Sequence, residues 1–403
     1  MIVKLAWKNI WRNRRRTFIT ISAIAFAVLF AVGMRSMQQG MEEQMLESIV
    51  NNNLGYIQVH NKGFWDEQIL DNGFYASDVS LDKITNLEEV IAVDKKLETG
   101  TLSSTGVVSR GTFVMGYDQS KGLPEKITKN ITAGEFPEVG KQEILMGEEL
   151  AEYINAKIGD TIVFLGQGYQ GATAAGLYTL AGTIDLHMPE LNRIIAYMTM
   201  EDLQEYIGAP ELLTALLIDV KHPDKLDQTK KEIEAIVGEN YEVMTWPEMD
   251  PELKQTLDTS AAKGWIMNFI LYMIITFVMF GTILMATQER KYELGVLLAI
   301  GMRKGKSMAM VVIENIIINF MGVIVGIAAV TPIAYYFHAN PIVIQGEQAE
   351  LMENYGFEAV IPFSTDNKIA VNHASIVLVL SVILLLYPVL SIRKLKPIEA
   401  MKL

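Results

Sequence analysis

Four long apolar runs dominate the pattern of an otherwise mixed sequence. Residues 17–37 read TFITISAIAFAVLFAVGMRSM, without a charge as far as Met34, and residues 265–287, WIMNFILYMIITFVMFGTILMAT, carry none. The third run, 307–337, holds a single acid, Glu314, and the fourth, 374–392, reads ASIVLVLSVILLLYPVLSI. A hydrocarbon layer about 30 Å thick needs roughly 20 helical residues at about 1.5 Å each, and all four runs come near that length. The pattern predicts an integral membrane protein with four transmembrane helices, at 17–37, 264–287, 307–337 and 374–392.

Helical spacing does not stop where the first run ends. Met34, Met37, Met41 and Met45 recur at three and four residues while Arg35, Gln38, Glu42 and Glu43 fill other positions, which reads as a stalk beyond the membrane. Ordinary helix packing accounts for the stripe Met37, Met41 and Met45 better than a metal or ligand role. PELKQTLDTSAAKGW, residues 251–265, reads as a returning stalk with Pro251 at its start. Between the stalks, residues 56–60 (YIQVH), 110–117 (RGTFVMGY), 161–165 and 178–183 read as strands, and 147–156 and 225–237 as helices. Residues 38–263 are therefore expected to form a large α+β domain outside the membrane, in two lobes, with GQGYQGATAAG at 166–176 as a flexible loop. The outer segment 338–373 is acidic and too short for another domain.

Charge then sets the orientation. Residues 1–16, 288–307 and the tail after Ile392 hold 15 of the 34 basic residues and only 3 of the 47 acidic ones. These three segments, and hence both termini, are expected on the cytoplasmic side, with the net charge of −13 carried by the outer part. The run after the basic start lacks a small-residue cleavage site and leads into a charged helix, which favours an uncleaved anchor over a secretory signal. Hydrophobic residues make up 50% of the chain, and mean hydropathy is +0.23. There is no cysteine, which excludes disulfides and thiolate sites.

Few residues invite chemistry. GMRKGKS at 301–307 falls one residue short of a nucleotide-binding loop, because Gly301 and Gly305 enclose three residues where four are needed to wrap phosphates, and it lies between apolar runs rather than after a buried strand. His60, His187, His222, His338 and His373 are scattered and read as surface or structural residues; acidic pairs such as Glu42–Glu43 and Glu148–Glu149 read as solvated faces. Glu314 stands out. A carboxylate in a membrane helix costs about 2.5–3.5 kcal/mol on insertion scales, which favours a place facing protein or water, for helix association or cytoplasmic coupling before proton relay. Gly322 and Gly326 form a G-x-x-x-G step suited to close helix approach. Trp7 and Trp11, among Lys4, Lys8, Arg12, Arg14 and Arg15, suit an interfacial elbow helix over residues 1–16.

In the segment 288–306, Glu289, Arg290, Lys291 and Glu293 are charged, while Leu294, Val296, Leu297 and Ile300 form an apolar set at helical spacing that stops at Gly301. An amphipathic cytoplasmic helix joined to two membrane helices can transmit a partner's motion; the alternative is a positive-inside loop resting on lipid.

The opening LAWKNIWRNRRRT, the stretch ERKYELGVLLAIGMRKG, the third run with Glu314 and Gly322, and the ending YPVLSIRKLKPIEAMKL together resemble the FtsX-like permeases of ABC transporters, a family that includes MacB and LolC/LolE types. GKQEILMGEELAEYINAKIGDTIVF and VMTWPEMDPELKQ resemble the lipoprotein-releasing LolC/LolE branch in particular. The resemblance implies a type VII, mechanotransmitting architecture with a MacB-like periplasmic core domain. It implies a second permease subunit, identical or not, and two copies of a cytoplasmic ABC ATPase. ATP and Mg would be bound by that partner, expected as a separate polypeptide, with no cofactor or catalytic residue in this chain and no nucleic acid. Residues 289–301 would be the coupling helix that docks on the ATPase. The implied function is lipoprotein release from a bacterial inner membrane to a periplasmic carrier. Efflux of small molecules or peptides comes next, and a non-transporting regulator of a cell-wall hydrolase after it; a receptor without an ATPase would leave the coupling segment idle.

Overall fold

The computed structural model describes residues 2–49, 54–118, 125–186, 188–347, 349, 352 and 359–395. The chain divides into two compact units: one of residues 1–44, 256–343 and 360–403, the other of residues 45–255 and 344–359.

The first unit is helical. Its elements are α1 (Ile2–Arg12), α2 (Arg14–Ile49), α3 (Pro251–Glu289), α4 (Lys291–Ala299), α5 (Lys304–Ala339), α6 (Asn367–Leu384) and α7 (Leu386–Lys394). Among the described residues, four stretches are long and apolar enough to cross a membrane: α2, α3, α5 and α6 with α7. At about 1.5 Å per residue, α2 and α3 reach roughly 54 and 58 Å, well beyond a hydrocarbon layer of about 30 Å. Pro388 explains the break at Leu385, since its ring would collide with the Leu384 carbonyl of a continuous helix. The residues 1–16 do not form one helix. The chain turns at Asn13, where the Thr17 hydroxyl donates back to the Ile10 carbonyl at 2.6 Å, so Arg14 and Arg15 belong to the first turn of α2.

Packing in this unit centres on α2 against α5. A Cβ placed on Gly322 would lie 2.7 Å from the Ile24 Cβ, and one on Gly326 would lie 2.7 Å from the Val28 Cβ and 2.9 Å from the Ala25 carbonyl oxygen. Glycine is required there because it lets two backbones approach, which is how helices associate where lipid removes any hydrophobic drive. By contrast, α3 leaves Trp265, Phe269 and Phe277 more than 60% exposed. Such a face is tolerable only in lipid or against another chain.

Past the apolar stretch, the side of α2 that packs is not the methionine stripe. Met41 is exposed and Met37 and Met45 half-buried, whereas Ser36 and Gly40 are buried. Ser364 N–H donates to the Ser36 carbonyl at 2.9 Å, the Ser36 hydroxyl donates to the Ser364 carbonyl, and a Cβ on Gly40 would meet the Pro362 carbonyl at 2.4 Å. Small residues win this face because a backbone segment, not a side chain, lies against it. The adjoining acids are engaged too: Glu42 takes two bonds from Arg35, and Glu43 accepts from Ser364 and Gln39.

The second unit carries a ten-stranded sheet: β1 (Ile57–Asn61), β2 (Val90–Ser104), β3 (Ser109–Tyr117), β4 (Ile131–Gly134), β5 (Glu143–Gly147), β6 (Thr161–Gln167), β7 (Thr173–Ile184), β8 (Ile195–Thr199), β9 (Ala215–Val220) and β10 (Tyr241–Thr245). The order is β10-β1-β9-β2-β3-β8-β5-β7-β4, and β6 pairs antiparallel with both β2 and β7. Strands β2-β3-β8-β5-β7-β6 thus close into a ring, and a ring this small is filled by its own inward side chains. Phe164 and Tyr178 of the ring meet Tyr206, from the helix Met200–Ile207, edge-on with centroids 5.7–6.4 Å apart, and the Tyr206 hydroxyl lies 2.6 Å from that of Thr101. The long strand β2 runs through both parts of the sheet: residues 90–96 pair with β9 and residues 97–104 with β3.

The stretch 166–176 is not a flexible loop. It is the turn of the β6–β7 hairpin, with Gly166 opposite Ala174 and the Gly168 N–H donating to the Ala172 carbonyl at 2.7 Å. Its glycines answer to packing: a Cβ on Gly166 would stand 2.9 Å from the Thr101 hydroxyl and 3.1 Å from that of Tyr206, and one on Gly176 would strike the Tyr178 ring.

Candidate functional site: a buried ion cluster at the basic end of the helical unit

Where α3 ends, the chain makes one short helix, α4, before entering α5. Gly301 terminates it: its N–H donates to the Leu298 carbonyl and that of Met302 to the Leu297 carbonyl, both at 3.1 Å. This pairing is the helix stop that places its fifth residue in the left-handed region, and Gly301 has φ +100°. The glycine of GMRKGKS is thus a helix cap, and Arg303 N-caps the next helix two residues on.

Glu314, one of the few charged groups in α5, is 1% exposed. Three side chains from three elements converge on it. Arg290, in the link between α3 and α4, donates to Oε2 at 2.7 Å; Asn9 of α1 donates to the same oxygen at 2.9 Å; Arg16 of α2 donates to Oε1 at 3.2 Å. Nearby, Arg12 of α1 pairs with Glu293 of α4, both side chains in contact with solvent. The buried cluster holds two guanidiniums against one carboxylate, and a small cavity of mixed lining, with Thr20, Thr287 and Asn315 beside Ile283 and Ile318, adjoins it. Beside it a groove of about 380 Å³ is lined by Leu5, Arg12, Glu293, Val296, Leu297 and Met302. Chemically the arrangement is a clamp: the carboxylate's lone pairs are occupied by charge-assisted bonds from three directions, which fixes α1, α2, α4 and α5 to one another at a single point.

The sequence reading placed Arg290 among the exposed charges of the coupling segment. It is instead 6% exposed, because burying Glu314 demands a cation at the same depth. Nor do Leu294, Val296, Leu297 and Ile300 share one face. Leu294 is buried against Ala6, Met310 and Ile392, while Ile300 is 80% exposed, six residues and therefore about 240° further round the helix. The outward apolar side is Tyr292 and Ile300, with Val296 between them half-buried. Glu289 closes α3, and Glu293 stands outward. On α1, Trp7 and Trp11 are exposed and stack edge-on with centroids 6.0 Å apart. Sequence reasoning missed Asn9 and Arg16. A signal existed: a lone acid one or two turns inside a helix calls for a cation at the mouth of a neighbouring one, and Arg16 is the last charge before the first apolar run.

The histidines divide by setting. His60 is fully buried beside Trp65, with Nε2 3.1 Å from the Gln58 side-chain oxygen, and burial together with Lys96 pushes it down to about 4. His222 and Lys225 both bind Glu89, and these hydrogen bonds hold its carboxyl below the usual range. His373 lies 2.5 Å from the Tyr272 hydroxyl, and His338 meets the Phe363 carbonyl at 2.9 Å. His187 and the tail from residue 396 lie outside the described residues.

Residues 17–236 match the MacB-like periplasmic core domain, and residues 265–397 match the FtsX-like permease C-terminal domain. The chain belongs to the family of the MacB-like periplasmic core domain, joined here to an FtsX-like permease C-terminal domain. Among the described residues it combines four helices long and apolar enough to cross a membrane with a large α/β domain of the periplasmic-core type. Among curated proteins it is 20% identical over 273 residues to the lipoprotein-releasing system transmembrane protein LolC of Xylella fastidiosa, covering 65% of each chain. It is 22% identical over 350 residues to the macrolide export ATP-binding/permease protein MacB of Escherichia coli, covering 81% of this chain and 51% of that one. The chain thus spans between about half and just under two thirds of these relatives. Among solved structures, the extracellular domain of the noncanonic ABC-type transporter YknZ from Gram-positive bacteria aligns with TM-score 0.34 at 13% identity, covering 47% of this chain and 99% of that one. The periplasmic region of MacB from Actinobacillus actinomycetemcomitans aligns with TM-score 0.36 at 13% identity, covering 53% and 95%.

Proposed function

We propose that this protein is the permease subunit of an ABC transporter that turns ATP hydrolysis by a partner ATPase into movement of its outer domain, in order to release lipoproteins from a bacterial inner membrane. The observation that carries the reading is the ion cluster. α4 is tied to α5 and α2 through Arg290, Glu314 and Arg16, and to α1 through Glu293 and Arg12, while it leaves Tyr292 and Ile300 uncovered. A short helix locked on one side and apolar on the other suits a handle gripped by another protein. Displacing it would load α2 and α3, the helices that continue past the apolar stretches. In this reading both termini are cytoplasmic, a second permease subunit completes the membrane part and covers exposed apolar faces such as that of α3, and a periplasmic carrier receives the cargo.

Lipoprotein release is favoured over efflux by the likeness to LolC and by the outer segments that resemble that branch; the equally distant likeness to MacB supports small-molecule or peptide export as the second reading. Purification from native membranes in mild detergent tests both. An ABC ATPase together with acylated lipoproteins is the expected company. An ATPase without lipoproteins, coupled to loss of drug or peptide resistance on deletion, would favour export. A cell-wall hydrolase would point to the regulator, and no ATPase at all would end the coupling reading.

A further inference from the structure

The basic start of the chain does two different jobs, and the structure separates them. Arg12 and Arg16 are taken up by Glu293 and Glu314. Lys4, Lys8, Arg14 and Arg15 are exposed and make no ion pair or hydrogen bond among the described residues. Their placement is ordered. On α1 the buried side is Ala6 and Ile10; Lys4 and Lys8 lie about 160° from it, and the exposed apolar stripe Val3, Trp7 and Trp11 lies between, roughly 80° from the buried side. Arg14 and Arg15 continue the basic surface into the first turn of α2, after the turn at Asn13.

We propose that these four residues, with Trp7 and Trp11, form a binding surface for anionic phospholipid headgroups of the inner leaflet. The proposal rests on the cytoplasmic placement of this end in the proposed function. Two independent features fit the same ligand. Tryptophan presents an apolar body to acyl chains and an N–H to the headgroup level, so the stripe sets the depth of α1 at the interface. Four uncompensated cations just above that depth match a phosphate-bearing surface, each strengthening association roughly five-fold near anionic lipid. A topogenic flank needs only positive charge during insertion and does not need an aromatic stripe adjoining it. The lipid would hold α1, and through Asn9 and Arg12 the clamp and α4, so the anionic leaflet becomes part of the frame against which α4 is moved.

The test uses the full chain reconstituted in phosphatidylcholine vesicles doped with a small fraction of brominated phosphatidylglycerol or brominated phosphatidylcholine, with tryptophan quenching as the readout. Trp7→Phe/Trp11→Phe identifies the signal from α1. The expected result is quenching of Trp7 and Trp11 at a mole fraction of the anionic lipid lower by about a hundred-fold or more, a preference that shrinks with salt. Arg14→Gln/Arg15→Gln should reduce that preference by about ten-fold or more, and Arg14→Lys/Arg15→Lys should keep it. Equal quenching by the two lipids, or a preference unchanged by the glutamine pair, overturns the proposal. Because the chain has no cysteine, Asn13→Cys labelled with a membrane-impermeant reagent in intact cells reports the side of this end. Labelling from outside would refute the orientation, while the quenching experiment judges lipid selectivity on its own.

Discussion

Arg290 donates to Glu314 at 2.7 Å with both side chains almost wholly withdrawn from solvent, so each residue is what makes the other's burial tolerable. Glu314→Ala would leave Arg290 and Arg16 facing each other without an anion, and Arg290→Ala would leave Glu314 with one cation and one amide. Breaking a buried pair from one side costs about 3–5 kcal/mol. Each single variant is expected to lower the thermal midpoint of the detergent-solubilised protein markedly. The double variant Glu314→Met/Arg290→Met should recover part of the loss, because paired charges can be replaced by apolar groups more cheaply than they can be separated, while Arg16, 16% exposed, is left to turn towards solvent without its anion. A double variant as damaged as the sum of the singles would mean that the two residues act independently.

The clamp and the outward side of α4 should separate in function. Ile300 is 80% exposed and touches no core, so Ile300→Asp is expected to change stability by less than about 0.5 kcal/mol, the usual effect of a surface substitution. It should nevertheless abolish recovery of an ATPase with the purified protein. Retained ATPase at the native ratio would remove this side of α4 from the docking surface.

Much of this was legible from the sequence, and the exceptions share a cause. Apolar runs set by bilayer thickness fix the number of spanning helices, and the single acid in the third run pointed to Glu314. What a linear pattern does not carry is which side of a helix meets which neighbour. Leu294 and Ile300 read as one set but face different ways, and Met37, Met41 and Met45 read as a packing stripe although Ser36 and Gly40 are the contact. On α4 one apolar side chain of the set meets the core and another faces away, and on α2 the small residues are the interface because the partner is another backbone. The glycines of 166–176 misled for the same reason: their composition suggests freedom, whereas two of them make room for tyrosines inside a closed ring of strands, a closure that depends on β6 meeting β2 across more than fifty residues.

Close backbone contact at Gly326 gives a test of the α2–α5 interface. Gly326→Ala would bring a methyl to 2.7 Å from the Val28 Cβ and 2.9 Å from the Ala25 carbonyl, and overpacking of this kind typically costs about 1–3 kcal/mol. Val28→Ala should relieve little of it, because the opposing atoms are a Cβ and a main-chain oxygen that alanine retains. Full rescue by Val28→Ala, measured as restored thermal stability, would show that the helices are held apart by the valine methyls and not by their backbones.

The outer domain should lose stability in acid through His60. Its folded value near 4 lies below the ordinary 6.5, so the folded state favours the neutral ring and binds fewer protons than the unfolded chain. The stabilising contribution is complete above about pH 6.5 and disappears as pH falls towards 4, about 3 kcal/mol across the window. Glu89 also loses its favoured charge in acid, but that loss runs from the ordinary carboxylate value of 4.5 down through its depressed one and so lies below pH 5 to 6. Chemical denaturation of the wild type and of His60→Gln at pH 7.5, 6.0 and 5.0 separates the two. The wild type is expected to lose about 1.4 kcal/mol more per pH unit than the variant between pH 6 and 5, the slope of one proton taken up on unfolding. Parallel slopes would place the His60 ring in contact with water in the folded protein, contrary to its packing against Phe64 and Trp65.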